Sequence, residues 1–220
     1  MHTGGVAHLP SSPEATPKRR RDLQKEQTRL DLALAAFELA RTEGLANVRV
    51  PQIAESVGVS TRTFNNYFPG KEAAIVWPAT LRGAQLMSNL ADRPSGERLA
   101  DALVEAVTGL YGPGGQDGLP KGWLDGFRAL VAAEPTLQGE YLKTQAAGER
   151  ALAGAIAHRT GAEPGSLQPL VLAGVVLAAE RAAVLHWSSQ STRTTRLIET
   201  VRTAVALAVG GTALSDIKLR

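Results

Sequence analysis

The 220-residue chain has no cysteine, which removes disulfide frameworks, cysteine-ligated zinc, iron–sulfur clusters and thiol catalysis together. Its four histidines, His2, His8, His158 and His186, are scattered, and no carboxylates cluster with them at ligand spacing, so the sequence indicates no metal, no cofactor and no acid–base catalyst. Charge of one sign is also lacking. The 24 Lys and Arg nearly balance 21 Asp and Glu, and a formal +3 does not by itself announce a nucleic-acid binder. No run reaches the roughly 18–20 apolar residues of a membrane span. The nearest, Leu167–Leu185, has Pro169 near its start and Glu180-Arg181 within it, and reads as a buried helix of a soluble protein with no membrane partner. Residues 1–17 hold Pro10, Pro13 and Pro17 among Gly, Ser and Thr without a signal-peptide core, and read as a disordered arm. A cytoplasmic location is the expectation.

What is present is helical. Hydrophobic residues make up 44% of the chain, enough for one large or two modest cores. Between proline and glycine punctuation they recur at offsets of three and four, and strand-like alternation is nearly absent, so the fold class is all-α. Leu30, Ala33, Leu34, Phe37 and Ala40 form one such stripe, ending before Gly44. Further helices are expected over about 50–57, 60–67, 71–91, 96–111, 121–133, 136–160, 168–187 and 193–209.

Residues 50–68, VPQIAESVGVSTRTFNNYF, contain a short helix, Gly58 at a turn, Ser60 as an N-cap and a second short helix, which is a helix-turn-helix pattern. At 100° per residue, Phe64, Phe68 and Ser60 share one side of the second helix, while Arg62, Thr63, Asn65 and Asn66 face outward. Asn and Thr are poor helix formers, so helix stability does not account for them there. Arg and Asn suit guanine and adenine edges in a major groove. Lys71 follows Pro69 and Gly70 in the first turn of the next helix, where the macrodipole disfavours a cation; a DNA phosphate at that N-terminus would relieve the mismatch, although Glu72 also offsets it.

These residues resemble the TetR-type bacterial transcriptional repressors: Phe37, Gly44, Ile53-Ala54, Gly58-Val59-Ser60, Thr63-Phe64, Tyr67-Phe68 and Lys71-Glu72 stand in the family's order at compatible spacing. The resemblance implies a three-helix DNA-binding domain over 18–75 and a helical-bundle domain over 76–220 that dimerises and binds an effector. It makes Thr61, Arg62, Thr63, Asn65 and Asn66 base or sugar contacts and gives phosphates to Tyr67 and Lys71, with Phe64 and Phe68 in the core. Arg49 stands where the family often has a capping Thr; Arg cannot cap, but can meet a phosphate. Gly70 replaces a frequent Ser or Asn. Charge placement agrees, since residues 18–75 hold ten Lys and Arg against seven Asp and Glu. Arg19 and Arg20, in the run Lys18–Arg21, can reach flanking phosphates or a minor groove.

Beyond Lys71 only general physics guides the reading. Leu170–Leu185 is apolar on nearly every side, and Ala178, Ala182 and Leu185, with Ile198, Val201 and Val205 on the following helix, are candidates for a four-helix interface across a two-fold axis. Trp77, Met87, Tyr111, Trp123, Phe127 and Tyr141 are the large side chains available to line a cavity. Pro78 lies two turns into its helix and removes the bond to the Ala74 carbonyl, a candidate hinge. Residues 112–118, GPGGQDG, lack the Lys-Ser/Thr ending of a P-loop and read as a flexible connection. The expected function is a homodimeric repressor that binds a palindromic double-stranded DNA operator and is released by an unidentified small-molecule effector; it is not an enzyme. Two alternatives remain: a helical carrier or enzyme with a vestigial helix-turn-helix, and a structural dimer with a filled core.

Overall fold

The computed structural model describes residues 17–112, 119–120, 122–190 and 196–210. The expected arm, apart from Pro17, and the glycine-rich connection, apart from Gly112, lie outside them. The described residues form nine α-helices and no strand: α1 (Pro17–Glu43), α2 (Val50–Ser56), α3 (Thr61–Asn65), α4 (Lys71–Ala91), α5 (Leu99–Gly109), α6 (Trp123–Ala133), α7 (Pro135–Thr160), α8 (Leu167–Ser189) and α9 (Leu197–Gly210). The all-α expectation holds.

Local chemistry sets the ends of the short helices. Gly58 has φ of +74°, a left-handed conformation that L side chains resist, and it turns the chain out of α2 toward α3. Ser60 caps α3, its hydroxyl accepting from the Thr63 N–H at 3.0 Å. At the other end of α3 the bonds tighten to three-residue spacing, Asn66 N–H to the Thr63 carbonyl at 3.1 Å and Tyr67 N–H to that of Phe64 at 2.9 Å, and the α-helix covers five residues rather than the eight expected.

Two apolar clusters carry the packing. The first joins α1, α2, α3 and the start of α4 around Ile53, Phe64, Phe68 and Ile75, and it also takes Trp123, Phe127 and Leu137 from α6 and α7. Full burial of one side chain such as Phe64 contributes about 1.5–3 kcal/mol. The second cluster gathers the far half of α4 with α5, α7, α8 and α9. A division after residue 75 therefore cuts neither α4 nor the first cluster cleanly. Arg159 near the end of α7 fastens the α4–α5 corner, donating to the carbonyls of Leu90, Arg93 and Pro94. The α5–α9 contact carries an Arg202–Glu105 ion pair.

The long apolar helix departs from expectation. By length and composition α8 is apolar enough to cross a membrane, yet it packs on α7 and α9. It is not buried throughout, as the sequence suggested: Leu167, Leu170, Val171, Val175 and Leu185 are exposed on one face, because a helix apolar all round has more surface than one protomer can cover.

Candidate DNA interface and effector cavity

The second helix of the helix-turn-helix has the two-faced geometry that its sequence predicts. Phe64 and Phe68 are buried, their ring centroids 5.7 Å apart, and Phe68 meets the Trp77 ring edge-on at 6.1 Å. Thr61, Arg62, Asn65 and Asn66 are exposed together, while Thr63 and Tyr67 are half-buried. Thr63 is partly engaged already, its hydroxyl 2.9 Å from that of Ser60. Arg49 is exposed at the N-cap of α2 and makes no capping bond, as an Arg must, so its guanidinium is available to an anion. Arg19 and Arg20 are exposed in the first turn of α1.

Lys71 is held differently from the simple expectation. Its ammonium donates to the carbonyls of Leu45 at 2.7 Å and Val48 at 2.9 Å, so two of its three N–H groups brace the loop between α1 and α2. The mismatch with the helix macrodipole is thus relieved inside the protein, leaving one N–H for a phosphate. Arg29 escaped the sequence reading. Its guanidinium lies 5.5 Å from the Phe68 ring centroid and 5.0 Å from that of Trp77, clamping the end of the recognition helix to α1 and α4. Nothing in the spacing of residues 29, 68 and 77 signals that contact.

The large side chains proposed for a cavity divide. Trp123, Phe127 and Tyr141 line a cavity of about 120 Å³ among α4, α5, α6, α7 and α8, together with Arg82, Gln145 and Glu180. It adjoins a second of about 240 Å³ that shares Phe127, Tyr141 and Glu180 and extends to Leu185. Tyr111 stands behind this wall, its hydroxyl donating to Glu180 and its ring under the Arg82 guanidinium at 4.8 Å. Glu180 therefore has a partner within the protomer. Burial pushes the Tyr111 phenol well above its ordinary range; the Glu180 carboxylate adds to the rise and Arg82 opposes it. Burial also raises Tyr141, again reinforced by Glu180. Met87 lies instead on a separate groove between α4 and α7. Trp77 is a correction: it sits under the recognition helix in the first cluster, because two turns into α4 the chain is still beneath the DNA-binding head. The cavities also count against a structural dimer with a filled core.

The candidate dimer residues divide as well. Ala178, Ala182 and Leu185 are exposed, Leu185 by 59%, in line with the apolar face of α8. Ile198 is half-buried. Val201 and Val205 are corrected: both are 0% exposed, packed in the second cluster against the protomer's own helices, and the exposed apolar side chain nearby on α9 is Leu207.

Comparison with known proteins agrees with this geometry. The family model described as bacterial regulatory proteins, tetR family, matches residues 33–74, and that described as the MftR C-terminal domain matches 97–213. The chain is 31% identical over 181 residues to the HTH-type transcriptional regulator TcmR of Streptomyces glaucescens, covering 80% of this chain and 79% of that one. Among solved structures, a TetR-family regulator from Rhodococcus sp. aligns with a TM-score of 0.55 at 19% identity, over 84% of this chain and 98% of the other. The fatty acid degradation regulator FadR from Bacillus halodurans aligns with a TM-score of 0.53 at 15% identity, over 84% and 96%. With a helix-turn-helix of the right geometry and family matches over both parts, the chain belongs to the TetR family of DNA-binding transcriptional regulators.

Proposed function

We propose that the protein is a homodimeric repressor that reads a palindromic operator through α3 and leaves it when a small molecule fills the cavity beside α6. The observation that carries the DNA-reading half is the face of α3, where Arg62, Asn65 and Asn66 are exposed around a buried Phe64. Thr61 and Thr63 flank them, and Arg49, Tyr67, Arg19, Arg20 and the free N–H of Lys71 supply phosphate contacts. The exposed α8 face, with Leu207 of α9, supports pairing of two copies, which the spacing of successive major-groove faces, roughly 34–36 Å or a multiple, requires. These assignments keep residues 18–75 as the DNA-binding part and 76–220 as the pairing and sensing part.

Contact between the two parts supports the release step. A Cβ on Gly126 of α6 would come within 3.1 Å of Phe37 Cζ on α1, so the two helices touch there with almost no slack. Phe37 also lies 6.1 Å from the Trp123 ring, which stacks on Phe127 at 4.7 Å in the cavity wall. A ligand that displaces α6 displaces α1, and its greater affinity for the displaced arrangement is what drives release. Pro78, inside an α4 that continues without interruption, is the proposed hinge. Selection of bound sequences from random duplex DNA tests the reading: an enriched inverted repeat is expected, and recovery of no preferred sequence overturns it.

A further inference from the structure

The positive charge of the chain does not lie where its base-reading helix is. Residues 29–75, the packed helix-turn-helix head, hold five Lys and Arg against five Asp and Glu, a net of zero. Residues 18–28 hold five against two, a net of +3 that equals the formal charge of the whole chain. Most cations of the head are also engaged: Arg41 pairs with Glu38, Lys71 spends two N–H groups on carbonyls, and Arg29 lies against two rings. Sequence-independent affinity for DNA comes from cations that displace condensed counterions at phosphates, and a neutral head supplies little of it.

The first turns of α1 are placed to supply the rest. Residues 19–27 are exposed on every side of the helix, Leu23 by 60%. Among the described residues none of Arg19, Arg20, Arg21 and Lys25 has a carboxylate within ion-pair distance, and the first turn contains no acid to offset its cations. Direction follows from two contacts further along the same helix. Phe37 meets α6, 6.1 Å from the Trp123 ring, and Arg29 meets Phe68 at the end of the recognition segment. Followed toward its N-terminus, α1 therefore runs away from α6 and past the end of that segment. The stretch from Arg19 to Thr28 continues for about 15 Å, roughly the rise of four base pairs. Arg19, Arg20 and Arg21 spread over about 200° of the helix circumference, so rotation about the axis does not turn all three away from a duplex.

We infer that these exposed turns form a second DNA surface, on which Arg19, Arg20 and Arg21 hold phosphates of the duplex flanking the bases that α3 reads, and which supplies most of the protein's sequence-independent affinity. The inference rests on DNA binding by the family and deepens the phosphate contacts given above to Arg19 and Arg20. Labour is thereby divided: α3 sorts sequences, and the start of α1 holds duplex of any sequence beside them.

The full-length protein and its variant Arg19→Gln/Arg20→Gln/Arg21→Gln test this, with thermal unfolding expected to be unchanged because the three side chains make no ion pair or hydrogen bond within the described protein. On a random-sequence duplex the slope of log affinity against log salt should fall by about five in the variant, six phosphates per dimer at about 0.9 each, with a loss of at least roughly tenfold in affinity. On the selected inverted repeat, about ten base pairs of arbitrary sequence added to each end should tighten the wild type roughly tenfold and the variant not at all. Discrimination among single-base operator variants should be the same for both proteins. Arg150→Gln, which removes an exposed cation from α7, should behave as the wild type. A variant that keeps the wild-type slope on random duplex, or a wild type that gains nothing from flanks, overturns the inference, as it must if the basic turns serve an acidic protein or an anionic membrane instead. The random duplex keeps the two claims apart: if selection recovers no preferred sequence, base reading by α3 fails, while the slope still decides the role of α1.

Discussion

Replacing Lys71 with Met separates a brace from a phosphate contact. The ammonium donates two bonds, at 2.7 and 2.9 Å, to carbonyls of the buried residues Leu45 and Val48, which lie 26 and 23 positions earlier in the chain. A net contribution of about 1.5–3 kcal/mol is typical of a hydrogen bond to a charged group, and the half-buried setting places each near the lower end. Loss of both should therefore cost about 2–4 kcal/mol, with Met preserving the apolar stem. Urea denaturation at fixed protein concentration reads that loss directly. The salt dependence of operator affinity, measured on the same variant at a temperature where it remains folded, reads the third N–H: if it meets a phosphate, the slope of log affinity against log salt falls by about one. A variant as stable as the wild type within about 0.5 kcal/mol refutes the brace, whatever happens to the slope.

Asn66→Ala should relax discrimination at one base pair by about 1–3 kcal/mol while leaving affinity for unrelated DNA unchanged, as competition binding against single-base operator variants will show. Gly126→Ala should change operator affinity of the ligand-free protein several-fold by pressing α6 on Phe37; Gly139→Ala, where a Cβ meets open space, should leave it unchanged. Val175→Glu on the exposed face of α8 should sediment as a monomer and lose roughly a thousandfold in operator affinity, down to the non-specific level. The raised Tyr111 phenol has a pH consequence. Its folded pKa lies above the unfolded value near 10, so its contribution to stability is complete below that pH and lost as pH rises toward the folded value. Alkaline denaturation should be less steep for Tyr111→Phe, and equal slopes would contradict the assignment.

The recognition segment was legible because its signals are local. Gly58, Ser60 and Phe64 lie within one turn-and-helix unit, and each has one conformational task that its residue type reveals. The mismatch of Lys71 with its helix terminus was equally local, but its resolution by Leu45 and Val48 depends on a loop packed from far along the chain. Val201 and Val205 show another limit: helical spacing identifies an apolar stripe without saying whether it faces the protomer's own core or a second copy. On α8, apolar on all sides, the same ambiguity hid which face stays exposed. The Arg82–Tyr111–Glu180 grouping joins α4, the end of α5 and α8, with 69 positions between tyrosine and glutamate, and no periodicity within one helix encodes it.

The claim that two linked copies read two half-sites through α3 is tested most directly by spacing. Affinity is measured for the inverted repeat recovered by selection, for the same repeat with five base pairs inserted at its centre, and for one with ten. Five base pairs turn the half-sites to opposite faces of the duplex. The account predicts a loss of about a hundredfold or more with five and a cooperative complex only at the original spacing. Equal affinity for all three duplexes contradicts it.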